Sequence, residues 1–178
     1  MGGVDDLRAW RMVQSDRTKC GSAVALAVRA LADGGYASGL GAVRELAAEQ
    51  ARIHRATNRI WPRSLGTPPW GLVAELNRHS RRPYRWRTVR RSGLGRRSGI
   101  GRGLDEVVDA LDAGWPVPLL IGALVPRHYV LLVAPSPDGI WVYDPANGTV
   151  RAVARSALRG EGAWPFGWPR VFGYAVPR

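Results

Sequence analysis

Cys20 is the residue of this chain whose type and position most directly suggest covalent chemistry. It is the only cysteine among 178 residues, and an apolar run from Ala23 to Leu31 follows it. The run is hydrophobic on nearly all sides, which predicts a central buried helix with Cys20 in its first turn. A helix N-terminus stabilises an anion, and the thiolate is the nucleophilic form of cysteine. A lone cysteine is more often a structural core residue, so this interpretation depends on partners elsewhere in the chain.

Three further residues have the types that a cysteine nucleophile requires. Such a nucleophile needs a base, a group that orients the base, and a donor for the oxyanion that forms on attack. His128 opens one predicted strand and Asp144 ends the next, so antiparallel pairing places them side by side. Gln14, six residues before Cys20, supplies a side-chain amide that can donate to the oxyanion. These four residues form the predicted site, which requires neither a metal nor a cofactor.

The other two histidines are the competing bases. His54 and His79 both fall on predicted helices among arginines, where we expect solvated side chains. Asp-Pro after a strand is also a common turn signal, so no member of the set is specific by itself. The ordered combination of Gln, Cys-Gly, His-Tyr and Asp-Pro is far more specific, and it favours His128 as the base.

At these residues the chain resembles the papain-like cysteine peptidases, most closely the bacteriocin-leader, or double-glycine, peptidase family. The matching motifs are Gln14, Cys20-Gly21, Gly114-Trp115-Pro116, His128-Tyr129-Val130 and Asp144-Pro145. The resemblance spans about residues 10–176, with Ser22 where many relatives have proline. It implies a papain-like fold in which Cys20 is the nucleophile and His128 the general base and then acid. It also implies that Asp144 orients His128 and that Gln14 and the Cys20 backbone N–H form the oxyanion hole.

The hydrophobic patterns predict an α+β fold in a single domain over residues 1–178. Helices are expected in a part from about 10 to 113, and an antiparallel sheet in a part from about 114 to 178. The helices are expected at Cys20 to Asp33, Gly41 to Arg55, Pro69 to Ser80 and Leu104 to Ala113. The strands are expected at Val117 to Ile121, His128 to Val133, Gly139 to Asp144, Thr149 to Val153 and Val171 to Val176. A further segment, Tyr84 to Arg90, alternates like a strand.

The chain is strongly basic, and its charge is concentrated in one segment. The net charge is +12, and ten arginines without any acidic residue lie from Arg78 to Arg102, with Tyr84 and Trp86 between them. Arginines with exposed aromatic rings suit nucleic-acid backbones and stacked bases. The glycines of the segment lack the ending of a phosphate loop, so we expect a flexible, positively charged surface loop at residues 93–103.

Three functions stay open at this point. The first is a thiol hydrolase, most directly a peptidase that forms a thioester with its substrate. The second is an acyltransferase, because transglutaminases, arylamine acetyltransferases and phytochelatin synthases are similar in using Cys, His and Asp. The third is a non-catalytic protein that binds nucleic acid or an acidic partner through residues 78–102. The first and third combine if arginines beside the site select acidic peptides.

The N-terminus has neither the basic nor the apolar region of a secretory signal. No apolar run is long enough to span a bilayer. We therefore expect a soluble cytoplasmic protein with no membrane partner.

Overall fold

The computed structural model of the chain describes residues 3–40, 43–89, 100–159 and 166–178, without the side chains of Val43 and Arg102. The α-helices in these ranges are α1 (Val4–Trp10), α2 (Cys20–Ala32), α3 (Gly34–Ser38), α4 (Val43–Thr57), α5 (Pro69–His79), α6 (Leu104–Asp112) and α7 (Arg155–Arg159). Short 3₁₀ helices span Arg63–Leu65 and Gly101–Gly103. The strands are β1 (Tyr84–Thr88), β2 (Val117–Gly122), β3 (Pro126–Ser136), β4 (Gly139–Asp144), β5 (Thr149–Val153) and β6 (Arg170–Pro177).

The six described strands form one antiparallel sheet in the order β1-β6-β2-β3-β4-β5. Strand β2 is buried along its whole length, and β3 is buried from His128 to Val133, because both faces of the sheet are covered there. Along β3, Tyr129 and Leu131 face one core, whereas Val130 and Leu132 face the other. This alternation is the ordinary period of two along a strand.

Helix α2 packs between the sheet and the other N-terminal helices. It contacts β3 on one side and α4 and α5 on another, and all of its residues except Arg29 and Ala32 are buried or nearly so. The all-round apolar sequence therefore matches an all-round buried helix. Helices α6 and α7 cover the opposite face of the sheet, so the chain forms a layer of helices on each side.

Most predicted elements agree with the observed ones to within three residues, and the α+β class is confirmed. One strand, β1, comes from the predicted helical part and pairs with the C-terminal strand β6. Helix α1 was not predicted, because its seven residues bury a single side chain, that of Leu7. The assignment of residues 1–178 to one domain stays a prediction. Every helix in the described ranges is too short or too polar to cross a bilayer.

Candidate active site

Cys20 begins α2 and borders an open cleft at that end of the helix. Its thiol is free, and the residue is 5% exposed. Lys19 occupies the N-cap position without a side-chain cap, so the sulfur lies beside N–H groups of the first turn that the helix does not satisfy. These groups and the helix dipole favour negative charge at this position.

His128 and Asp144 meet at the same edge of the sheet as Cys20. Strands β3 and β4 pair antiparallel, with Leu131 opposite Tyr143, which brings the start of β3 beside the end of β4. His128 Nε2 lies 2.7 Å from Asp144 Oδ1, and each residue is 8% exposed. The same Asp144 oxygen accepts a hydrogen bond of 2.9 Å from the Ala146 backbone N–H. The carboxylate is therefore held from two directions.

The surroundings of His128 favour its protonated form. Burial alone lowers the pKa of His128, but hydrogen bonds with Asp144 and Cys20 and the charges of both residues raise it to about 9. Burial alone raises the pKa of Asp144, but the hydrogen bonds from His128 and Ala146 lower it. Since Nε2 contacts Asp144, Nδ1 is the ring nitrogen left for the Cys20 sulfur. At neutral pH the imidazolium thus lies between the Asp144 carboxylate and the Cys20 sulfur.

Gln14 lies in the segment that precedes α2 and lines the same cleft as the other three predicted residues. Its backbone N–H donates to Pro145 O over 2.8 Å, which ties it to the residue after Asp144. Its side-chain oxygen Oε1 is buried and accepts no hydrogen bond. The amide nitrogen of Gln14 also has no hydrogen-bond partner among the described residues, so this residue has a free donor in the cleft that Cys20 lines. All four residues of the predicted site are therefore in one place.

The walls of the cleft are largely apolar and come from three separate segments. One is the loop before α5 together with the first turn of that helix, where Trp61 and Trp70 pack perpendicular to each other with ring centroids 5.3 Å apart. Another is the turn between β2 and β3, where Leu124 is 85% exposed. The third contributes Phe166 and Trp168 before β6. A cleft with exposed apolar walls is suited to bind a ligand with apolar groups.

The charged side chains that line the cleft are mainly basic. Arg17 and Arg127 line it, and neither has an ion-pair partner among the described residues. Asp144 is the acidic residue of the described lining, and its charge is engaged by His128. The cleft is therefore electropositive away from the His128–Asp144 pair.

Both competing histidines lie outside this cleft, and the prediction for one of them was wrong. His54 was expected on a solvated helix surface, but it is buried, and this burial lowers its pKa. The loop after α4 folds back over the end of that helix, where Asn58 Nδ2 donates to Gly66 O. His79 is exposed and lies 3.8 Å from Glu75 on α5, beside a different pocket.

The described arginines of residues 78–102 also lie outside the cleft. Arg85 and Arg87 both pair with Glu106 of α6, at 2.6 and 3.0 Å, and Arg78 pairs with Glu75. Tyr84 is buried, so its ring is not available to stack on a base. The prediction of a loop over residues 93–103 is wrong for its last three residues, because Gly101–Gly103 form a 3₁₀ helix. The other residues named in this segment lie outside the described ranges, namely Arg90, Arg91, Arg96, Arg97, Gly93, Gly95 and Gly99, together with the side chain of Arg102.

Sequence reasoning did not assign a site role to Arg17, Arg127 or Gln50. No residue pattern around Arg17 or Arg127 in the sequence indicates a role in the site, because only the fold brings their segments to the cleft. Gln50 did carry one, since it occupies an apolar position in the helical pattern of α4 and is 0% exposed. A polar residue at a buried helix position indicates a specific hydrogen-bond partner.

Comparison with known proteins identifies a similar fold. No protein-family model matches the chain, and no curated protein matches it. Among solved structures, the chain is similar to the peptidase domain of Streptococcus ComA, a bi-functional ABC transporter involved in a quorum-sensing pathway. The two superpose with a TM-score of 0.50 at 16% identity, over 94% of this chain and 97% of the other. The chain has a papain-like fold. At this identity the likeness concerns the fold alone, and the predicted architecture is confirmed at that level.

The arrangement supplies the parts of a nucleophilic site. A thiol at a helix N-terminus adjoins an imidazolium that a carboxylate orients, and an amide donor lies nearby. In the part of the chain that the structure describes, no three His, Cys, Asp or Glu side chains are grouped as metal ligands.

Proposed function

We propose that this protein is a cysteine peptidase whose nucleophile is Cys20. The hydrogen bond of 2.7 Å between His128 Nε2 and Asp144 Oδ1, in the cleft that Cys20 also lines, carries this proposal. The papain-like fold supports it, because the similar structure is itself a peptidase domain.

In the first half of the reaction the Cys20 thiolate attacks the carbonyl carbon of the scissile peptide bond. The carbonyl oxygen becomes an oxyanion, which the Cys20 backbone N–H and the Gln14 side-chain amide stabilise. His128, already protonated, gives its proton to the leaving amine as the C–N bond breaks. The products are the free amine and a thioester on Cys20.

In the second half water resolves the thioester. His128 is now neutral, so it accepts a proton from water as the oxygen attacks the thioester carbonyl. The C–S bond breaks, the carboxylic acid leaves, and the thiolate–imidazolium pair is restored. Asp144 holds the ring in one orientation throughout and stabilises its positive charge.

The substrate we propose is a peptide with both apolar and acidic side chains near the scissile bond. The exposed apolar walls of the cleft favour apolar side chains in the substrate. Arg17 and Arg127 favour acidic side chains, because they are cations without ion-pair partners in the described lining. The acidic preference therefore comes from these two arginines rather than from residues 78–102, whose described arginines lie elsewhere.

A defined peptide library, read by mass spectrometry, tests the proposed activity. Native protein should cleave a subset of peptides, and Cys20→Ala and His128→Ala should each abolish cleavage. His79→Ala is the matched control, because it removes a histidine outside the cleft and should retain native activity. Cleavage that persists in Cys20→Ala would overturn the proposal. Product in which an added amine is joined to the peptide, without the hydrolysed acid, would assign the site to an acyltransferase instead.

A further inference from the structure

Gln50 is a fully buried polar side chain that joins α4 to the segment before α2. Its Oε1 accepts a hydrogen bond of 2.8 Å from the Ser15 backbone N–H. Its Nε2 donates one of 2.9 Å to the Val13 backbone oxygen. The two backbone groups flank Gln14 on either side, so one side-chain amide holds both peptide segments next to the oxyanion donor.

The same segment is fixed on its other side by the sheet. Tyr143 donates from its hydroxyl to Met12 O over 2.7 Å, and Gln14 donates from its backbone N–H to Pro145 O over 2.8 Å. The turn between β4 and β5 comes close as well, because a Cβ added at Gly148 would lie 3.2 Å from Met12 O. Residues 12–15 are therefore held between the helical layer and the sheet.

The chemistry of the contact requires an amide at position 50. A carboxylate provides no donor for Val13 O, and an apolar side chain satisfies neither backbone group. The side chain of Gln14 itself has no hydrogen bond among the described residues, so its direction depends on the backbone that carries it. A preorganised donor stabilises an oxyanion because it needs no reorientation during the reaction.

We propose that Gln50 is a positioning residue, which acts through Gln14 to keep the oxyanion donor aimed at the adduct on Cys20. This inference rests on the proposed function. Gln50 touches neither substrate nor reacting atoms, and its whole effect on the reaction passes through the backbone on both sides of Gln14.

The test compares two reactions of the same thiol. Hydrolysis of a peptide forms an oxyanion, whereas alkylation of Cys20 by iodoacetamide does not. Gln50→Met should lower kcat by about ten- to a hundredfold with little change in KM, and should leave the alkylation rate within about twofold of native. Glu75→Gln is the control, since it alters a buried polar side chain of α5 whose partners are Arg52, Arg78 and His79 rather than residues 12–15. It should change neither rate.

A double variant tests whether the effect passes through Gln14. If Gln50 acts only through Gln14, Gln14→Ala and the double variant Gln14→Ala/Gln50→Met should have the same kcat. The positioning role would be overturned if the loss of kcat in the double variant equalled the product of the losses in the two single variants. It would also be overturned if the alkylation rate of Gln50→Met fell together with its kcat. An unchanged kcat in Gln50→Met would overturn it as well. If Gln50→Met does not fold, Gln50→Glu has nearly the same size and replaces it in both comparisons.

A measurement without turnover separates this inference from the proposed function. The Gln14 side-chain amide should give one ordered pair of signals in the ¹⁵N NMR spectrum of native protein. The pair should broaden or collapse towards free-amide positions in Gln50→Met but not in Glu75→Gln. If native protein lacks Cys20-dependent hydrolysis, the proposed function fails, and the NMR comparison still decides whether Gln50 orders Gln14. Unchanged Gln14 signals in Gln50→Met would overturn that ordering.

Discussion

Replacing Asp144 with asparagine should lower the pKa of His128 while leaving its imidazole ring in the same place. Asp144→Asn keeps an oxygen at nearly the same place, so His128 Nε2–H and the Ala146 N–H retain an acceptor. It removes the negative charge that helps to raise the pKa of His128 above the ordinary value of 6.5 to about 9. Burial then opposes the charged imidazolium, with only Cys20 and an uncharged hydrogen-bond acceptor to offset it. The pKa of His128 should therefore fall from about 9 towards 6.5.

The size of the effect follows from that difference. Each tenfold change in a protonation equilibrium corresponds to about 1.4 kcal/mol, so a pKa of about 9 instead of 6.5 corresponds to roughly 3 kcal/mol. At pH 7.5, a histidine with the higher value is almost fully protonated, and one with the lower value is about one-tenth protonated. Turnover at this pH should therefore fall by up to roughly tenfold, which is the loss expected when the pKa of His128 returns fully to 6.5. Because the pKa is raised in the folded state, the stability that His128 contributes is fully present below about 6.5 and is lost as pH rises through about 9.

NMR titration of the imidazole signals measures the pKa directly. The chain has three histidines. Burial lowers the pKa of His54, and partial desolvation together with nearby arginines lowers that of His79, so the His128 signal should titrate well above the other two. Asp138→Asn is the matched control, since it removes an exposed carboxylate from the turn between β3 and β4. A His128 midpoint at or below 6.5 in native protein would refute the reasoning. The same follows if Asp144→Asn and Asp138→Asn give equal midpoints.

Two further predictions concern substrate charge and packing beside Cys20. Arg17→Gln and Arg127→Gln should each lower kcat/KM for a glutamate-containing peptide relative to its glutamine analogue by about two- to fivefold, and added salt should shrink the difference. Arg82→Gln, which removes the same charge outside the cleft, should not do so, and equal effects of all three would exclude a role for the cleft arginines. Gly21→Ala should lower the free energy of unfolding by about 1–3 kcal/mol, because the new Cβ would lie 2.6 Å from Thr67 Cβ and 3.1 Å from Tyr129 Cδ2. Gly34→Ala meets open space and should be nearly neutral in urea unfolding, whereas equal losses would contradict the packing described around Gly21.

The position of the site could be predicted because each of its parts follows from a local pattern or from antiparallel topology. Cys20 stands where an apolar helical pattern begins, and helix α2 starts at that residue. His128 and Asp144 stand near the start of one strand and at the end of the next, and such ends are adjacent in any antiparallel hairpin. The contact between His128 and Asp144 could therefore be predicted once the ends of the two strands were placed correctly.

The contacts that the sequence did not reveal depend on long-range packing. Arg85 and Arg87 lie in a segment without acidic residues, yet both pair with Glu106 from a later helix. His54 is buried by a loop that follows its helix, which helical periodicity alone does not show. The hydrogen bonds of Gln50 with Val13 and Ser15 depend in the same way on where residues 12–15 pass α4. Contacts of this kind can be found only from the folded structure.

Trapping the thioester on Cys20 tests the central claim most directly. The ester of a peptide that native protein cleaves is mixed with excess protein, and the mixture is quenched in acid within the first turnover. The protein is then analysed by intact mass and by fragmentation. The predicted result is one acyl group on Cys20, absent from Cys20→Ala and markedly reduced in His128→Ala. Hydrolysis without an acyl group on Cys20, together with full activity of Cys20→Ala, would contradict the claim that this thiol is the nucleophile.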